Sequence, residues 1–97
     1  MHYIFSPEAG EELDSAFNYY EDIIPGLGYD LLDDVDSVLD RLLIFPESAP
    51  LLTGRIRKAI LRDFPFSILY SFSDDMLRIT AFMHHKRKPD YWKDRIG

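Results

Sequence analysis

The spacing of apolar residues along the chain changes period part-way, from a helical repeat to a two-residue alternation. Tyr3 to Ser6 is short and rich in β-formers, which predicts a strand. Ser6-Pro7-Glu8 then has the chemistry of a helix start. A serine oxygen accepts from the first free N–H groups, proline suits the first helical position, and an acid favours the positive end of the helix. Ala9, Leu13, Ala16, Phe17, Tyr20 and Ile24 recur at helical spacing, with Glu11, Glu12, Asp14, Asn18, Glu21 and Asp22 opposite. Pro25-Gly26-Leu27-Gly28 stops this helix and turns the chain. A second stripe follows from near Leu27, made by Leu31, Val35, Val38, Leu42 and Phe45 and widened by Leu32 and Leu39. Asp30, Asp33, Asp34, Asp36 and Asp40 face away from it, and Pro46 ends it. Two helices with so short a break predict an antiparallel hairpin with an acidic outer face.

Beyond the loop Pro46–Gly54 the period becomes that of strands. Ile56–Leu61 is one candidate, and in Phe66–Phe72 the residues Phe66, Ile68, Tyr70 and Phe72 share a face. Ser73-Asp74-Asp75 is a turn, and Met76–His84 is a further strand. Strict alternation places Leu77, Ile79, Ala81 and Met83 on one face, with Arg78, Thr80, Phe82 and His84 on the other. Short connections between these runs imply antiparallel pairing. The tail Lys86–Gly97 is basic, with a short helical segment predicted around Asp90-Tyr91-Trp92-Lys93. The expected fold is therefore α+β in the order β-α-α-β-β-β, a helical hairpin packed on a small antiparallel sheet. Neither an internal repeat nor a linker divides the chain, so residues 1–97 read as a single domain.

Composition narrows the function classes. Apolar residues make up 46% of the chain and aromatics 14%, enough to build a core. A domain of 97 residues buries only roughly two thirds of its unfolded surface, which leaves room for a partner to complete it. There is no cysteine, which excludes disulfides, thiolate metal sites and cysteine nucleophiles. No apolar run is long enough to cross a bilayer, and Met1–Pro7 lacks the pattern of a signal peptide. A cytoplasmic protein with no membrane contact is the expectation.

The net charge of −6 hides a division. Residues 1–50 carry twelve acids and a single base, Arg41, whereas residues 51–97 carry ten bases and five acids. An anionic partner would have to meet the second half. Standard catalytic signatures are missing: no G-x-S-x-G, no phosphate-cradling glycine loop and no H-E-x-x-H. His84 and His85 are neighbours on a strand and point to opposite faces, so neither a metal nor any other cofactor is expected. The candidate binding residues are the basic and aromatic ones. Arg57, Lys58 and Arg62 surround one strand, Arg78 and His84 lie on the next but one, and Arg87, Tyr91, Trp92 and Arg95 fall in the tail. Arginine beside aromatics suits phosphate contact with base stacking, or an acidic protein partner. The plainer reading is a solvated sheet edge in which basic residues block aggregation, with Trp92 pinning the last segment.

These fragments, in order, resemble the RelE/ParE toxin superfamily, and its ParE-like plasmid-stabilisation branch in particular. The resemblance runs through Ser6-Pro7-Glu8-Ala9, Tyr19-Tyr20-Glu21, Pro25-Gly26-Leu27-Gly28, Phe45-Pro46 and Ile56-Arg57-Lys58. It continues through Leu61–Tyr70 and ends with His84, Arg87, Pro89, Tyr91, Trp92 and Arg95 at family spacing. It implies the toxin half of a toxin–antitoxin pair, neutralised by a cognate antitoxin whose C-terminal segment wraps it. A homodimer and a heterotetramer with the antitoxin are the assemblies it leaves open. ParE-like members are associated with poisoning DNA gyrase. RelE-like members cut messenger RNA on the ribosome without a metal, using basic side chains and a tyrosine. Aligned on Ile68-Leu69-Tyr70, this chain has Ser67 where the RNA-cleaving branch has an arginine and Ile60 where it has a lysine. Lys58 is kept, Arg87 aligns with the C-terminal arginine, and Tyr91 falls near the tyrosine.

The resemblance therefore implies a ParE-like growth inhibitor directed at gyrase. The alternatives are a ribosome-dependent endoribonuclease, with His84 or Tyr91 moving protons and Arg57, Arg62 or Arg87 holding phosphate, and an inactive descendant that only binds antitoxin. The antitoxin is expected to bring acids to the basic half, at Arg57 and Arg62 among others.

Overall fold

The structure is a computed structural model that describes residues 1–96; Gly97, the last residue of the basic tail, lies outside them. Strand β1 (His2–Phe5) leads into helices α1 (Pro7–Ile23) and α2 (Leu27–Ile44). Strands β2 (Leu51–Thr53), β3 (Ile56–Ile60), β4 (Phe66–Ser73) and β5 (Met76–His84) follow, with a 3-10 turn at Lys93–Ile96. The strands form one sheet in the order β1-β5-β4-β3-β2. The later strands pair antiparallel as expected, while β1 lies parallel to β5, so the sheet is mixed. No helix among the described residues is long and apolar enough to cross a membrane.

Local chemistry sets the helix ends. Ser6 Oγ accepts from the Ala9 N–H at 3.1 Å, and its own hydroxyl donates to the Thr80 carbonyl, so one side chain caps α1 and ties it to β5. Between the helices, Gly26 has φ +97°. Glu21 Oε1 accepts from the Gly26 and Gly28 N–H groups at 2.8 Å each, giving the start of α2 an anionic cap from the preceding helix. A Cβ on Gly28 would stand 2.6 Å from the Glu21 side chain and 2.8 Å from Phe17, so glycine is what lets the hairpin close. Strands β4 and β5 are joined by Asp74 and Asp75, both at positive φ, as a two-residue hairpin turn requires.

The helices cover one face of the sheet. Leu31, Val35, Val38 and Leu42 of α2 and Ala9 and Ala16 of α1 meet Ala59, Ile68, Tyr70, Leu77 and Ile79 in the main core. Tyr70 is fully buried with its hydroxyl donating to the Pro46 carbonyl at 2.7 Å, and burial pushes its pKa up. A second cluster lies on the opposite face, where Trp92 packs on Ile56, Leu69, Ala81 and Met83.

Several expectations need correction. Strict alternation fails in β5, because Leu69 pairs with Ala81 but Tyr70 pairs with Ile79, which makes Thr80 the extra residue of a β-bulge. The bulge swaps the faces beyond it. Leu77 and Ile79 face the helices, whereas Ala81 and Met83 face Trp92 and it is Phe82 that joins the main core. Asp34 does not face away: it is 5% exposed, and its carboxylate accepts from the N–H groups of Arg62, Asp63 and Phe64 at 2.8–3.2 Å. Residues 51–53, expected within a loop, form the edge strand β2. The helical segment of the tail starts only at Lys93, since Asp90–Trp92 are held in turns, with Trp92 Nε1 donating to the Pro89 carbonyl at 2.7 Å.

Candidate functional site

A cleft of about 690 Å³ lies between α1 and the C-terminal segment. One wall is the stripe of α1 that runs from Glu8 through Glu12 and Ala16 to Tyr20 and Ile23. The floor is Phe66 and Phe82, whose rings stack at 4.6 Å, with Tyr20 edge-on to Phe66 at 6.3 Å. His84, Arg87, Tyr91 and Arg95 form the other wall.

Glu12 organises this wall. Its carboxylate accepts from Arg95 Nη1 at 2.8 Å, from Arg95 Nη2 at 3.3 Å, from the Tyr91 hydroxyl and from the Phe82 N–H at 3.1 Å. Arg95 Nη1 also donates to the Thr80 carbonyl at 3.1 Å. The β5 bulge thus presents main-chain groups that side chains from α1 and the tail take up. Two guanidinium groups lie over the Tyr91 ring, Arg87 at 4.0 Å and Arg95 at 5.0 Å from its centroid. Burial, and next the hydrogen bond to Glu12, raise the Tyr91 pKa well above the ordinary 10. The same Glu12 contact raises that of Arg95. Tyr91 therefore keeps its proton at neutral pH, and that proton is directed at Glu12.

His84 has a different environment. Its Nδ1 accepts from the Lys86 N–H at 3.0 Å, which leaves the proton of the neutral ring on Nε2. Burial, then Lys86 and His85, hold its pKa below 6.5. Its ring stands edge-on to Phe66 at 5.0 Å. His85 turns to the other side of the strand, with Nε2 at 3.0 Å from the Oγ of the fully buried Ser67.

Of the residues singled out from the sequence, the cleft gathers His84, Arg87, Tyr91 and Arg95. The rest lie elsewhere. Trp92 is 1% exposed on the opposite face of the sheet. Arg57 is tied to the Glu47 and Ala49 carbonyls at 3.2 and 2.7 Å and lies over the Phe72 ring at 5.9 Å. Lys58 and Arg78 stand on the outer face, by their pairing with Leu69 and Ser71. Arg62 borders a separate hollow with Asp30, Asp33 and Asp34. Sequence reasoning missed Glu12, which it placed on a wet helix face although its side chain is only 17% exposed. The available signal was the i, i+4 row Glu8, Glu12, Ala16 and Tyr20, which shares a face with core positions. Among the described residues, no group of three or more His, Asp or Glu could hold a metal ion.

Comparisons with known proteins bear on this geometry. No curated protein matches the chain. A structure described as a chromosomal ParDE toxin–antitoxin system from P. aeruginosa matches with a TM-score of 0.73 at 19% identity, over 87% of this chain and 95% of that one. At that identity the likeness shows a shared fold. The family model for the ParE toxin of the parDE type II toxin–antitoxin system matches residues 3–89, which takes in both helices, the sheet except His2, and the start of the tail. The chain therefore belongs to the ParE toxin family of type II toxin–antitoxin systems.

Proposed function

We propose that this protein inhibits growth by binding DNA gyrase in the cytoplasm, and that a cognate antitoxin neutralises it by covering its surface. The observation that carries the reading is the family match across residues 3–89. Two features of the fold support binding in preference to catalysis. Tyr91, the residue nearest in position to an RNA-cleaving tyrosine, directs its hydroxyl proton to Glu12. Ser67, which stands where that branch has a phosphate-binding arginine, is completely buried. The test is controlled expression without antitoxin, combined with a supercoiling assay on purified gyrase. Arrested growth with inhibited supercoiling is the expected result; growth and supercoiling both untouched would overturn the reading.

A ribosome-dependent ribonuclease is the second reading. What favours it is the convergence of His84, Arg87 and Tyr91 on one cleft. Mapping messenger ends during expression separates the two, because cuts at the ribosomal A site belong only to the nuclease.

A further inference from the structure

The sheet ends in two open edges that are finished differently. Strand β2 is three residues long, shifts register against β3 between Leu51 and Thr53, and lies between Pro50 and Gly54-Arg55. Shortness, irregularity, proline and adjacent charge are features that keep an edge from pairing. Strand β1 has a regular register against β5 from His2 to Phe5 and contains no proline, lysine, arginine or acid. Among the described residues, no strand pairs with its other side. The hydrogen bonds fix which groups are free there. The His2 N–H donates to the Asp75 carbonyl and the Ser6 N–H to the Ile79 carbonyl. Main-chain groups alternate in direction along a strand, so Ile4 also addresses β5, while Tyr3 and Phe5 turn their N–H and C=O groups to the open edge. The side chains are apolar and uncovered, with Tyr3 45% and Ile4 54% exposed. Tyr3 and Phe5 lie on the helix side, rings edge-on at 6.0 Å, and Ile4 lies on the outer side.

We propose that β1 is a self-association edge, on which a second copy of this chain pairs its own β1 antiparallel about a two-fold axis at Ile4. In that register Tyr3 of each copy exchanges both main-chain bonds with Phe5 of the other, which satisfies every outward N–H and C=O of the two strands. Ile4 then meets Ile4 of the second copy as the close, non-hydrogen-bonded pair, and Tyr3 and Phe5 form cross-strand aromatic pairs on the helix side. A two-fold contact needs a patch complementary to itself. This one is, because no lysine, arginine or acid on the strand meets its like across the axis. Arg78, beside Ile4 on β5, stands three strand spacings from its counterpart, about 14 Å and beyond the screening length. One short strand pair covers far less than the roughly 1,600 Å² of a standard interface, so the dimer is weak, with Kd roughly micromolar to millimolar. The inference is independent of the gyrase reading, and the edge shares no residue with the cleft.

The test uses the full chain, whose lack of cysteine makes any introduced thiol unique. Sedimentation velocity should show a monomer–dimer equilibrium, and Ile4→Lys should weaken it at least about tenfold. Ile4→Cys should give a disulfide-linked dimer on mild oxidation, because the Cα atoms of a close antiparallel pair stand about 4.5 Å apart, within disulfide reach. Leu52→Cys, similarly exposed on the other edge, should cross-link at least about tenfold more slowly. Amide exchange of the unaltered protein needs no variant: the Tyr3 and Phe5 N–H groups should gain protection as concentration rises. A monomer at every concentration up to about 1 mM, with no gain in protection, overturns the inference. Equal cross-linking at both edges, or association that survives Ile4→Lys, overturns it by placing the contact elsewhere. If Ile4→Lys changes only antitoxin binding or gyrase inhibition, the edge belongs to one of those proteins and the inference falls while the toxin reading stands.

Discussion

Glu12 and Arg95 are 83 residues apart in the sequence and 2.8 Å apart in the fold. Their side chains are 17% and 19% exposed, which makes the contact a largely desolvated ion pair. It also closes the distance between the first helix and the last turn. Glu12→Ala leaves Arg95, the Tyr91 hydroxyl and the Phe82 N–H without their acceptor and is expected to cost about 2–4 kcal/mol. Glu12→Gln, which still accepts from two of them, is expected to cost about half as much. Urea unfolding gives both numbers, and amide exchange in residues 88–96 should rise in step with them.

Trp92 holds the C-terminal segment from the other side. Trp92→Ala uncovers Ile56, Leu69, Ala81 and Met83 and is expected to cost about 3–5 kcal/mol, a large share of the stability of a domain this size. Trp92→Phe should cost less, through lost volume and the lost bond to the Pro89 carbonyl. The measurement is thermal unfolding, with dye binding to report the exposed outer face.

Asp34 carries the loop between β3 and β4. Its carboxylate serves three consecutive N–H groups, and no neutral side chain of similar size offers as many lone pairs in that position. Asp34→Ala should destabilise by about 2–4 kcal/mol and raise amide exchange first at Arg62, Asp63 and Phe64. Uniform loss of protection across the protein would argue against this local role.

Two pH effects follow from the cleft, with opposite signs. The His84 pKa lies below its unfolded value of 6.5, so its contribution to stability is complete above 6.5 and falls as pH drops from there toward the folded value. A ring-proton titration should place His84 below 6.5, and Lys86→Ala should move it upward. The Tyr91 pKa lies above 10, so its contribution is complete below pH 10 and is lost as pH rises further. Glu12→Gln should bring the Tyr91 ionisation back toward 10 in an ultraviolet titration.

How much of this the sequence revealed depended on whether the cause was local. The helices were legible because Ser6, Pro7, the Gly26–Gly28 break and two apolar stripes all act within a few residues of one another. Met76–His84 was legible as a strand for the same reason, but its bulge was not. Nothing in Arg78-Ile79-Thr80-Ala81 marks an extra residue; only the register against β4 and the Arg95 contact to the Thr80 carbonyl reveal it. Strand β2 was hidden because a three-residue edge strand with exposed Leu51 and Leu52 has no alternation to read. In the site, the basic and aromatic residues were legible by type, and half of the cleft wall was among them. Glu12 and Asp34 escaped because acids on helices are usually solvated, and only tertiary contacts reveal which ones are not.

The placement of Tyr91 and Trp92 has a practical consequence. Tyr91 lines the cleft and reaches Glu12 with its hydroxyl, yet it also packs against the cluster behind the sheet that holds Trp92. Trp92 is the chain's single tryptophan. A ligand that shifts the tyrosine changes the packing against the indole's cluster, so indole emission of the unlabelled protein is expected to report whether the cleft is filled.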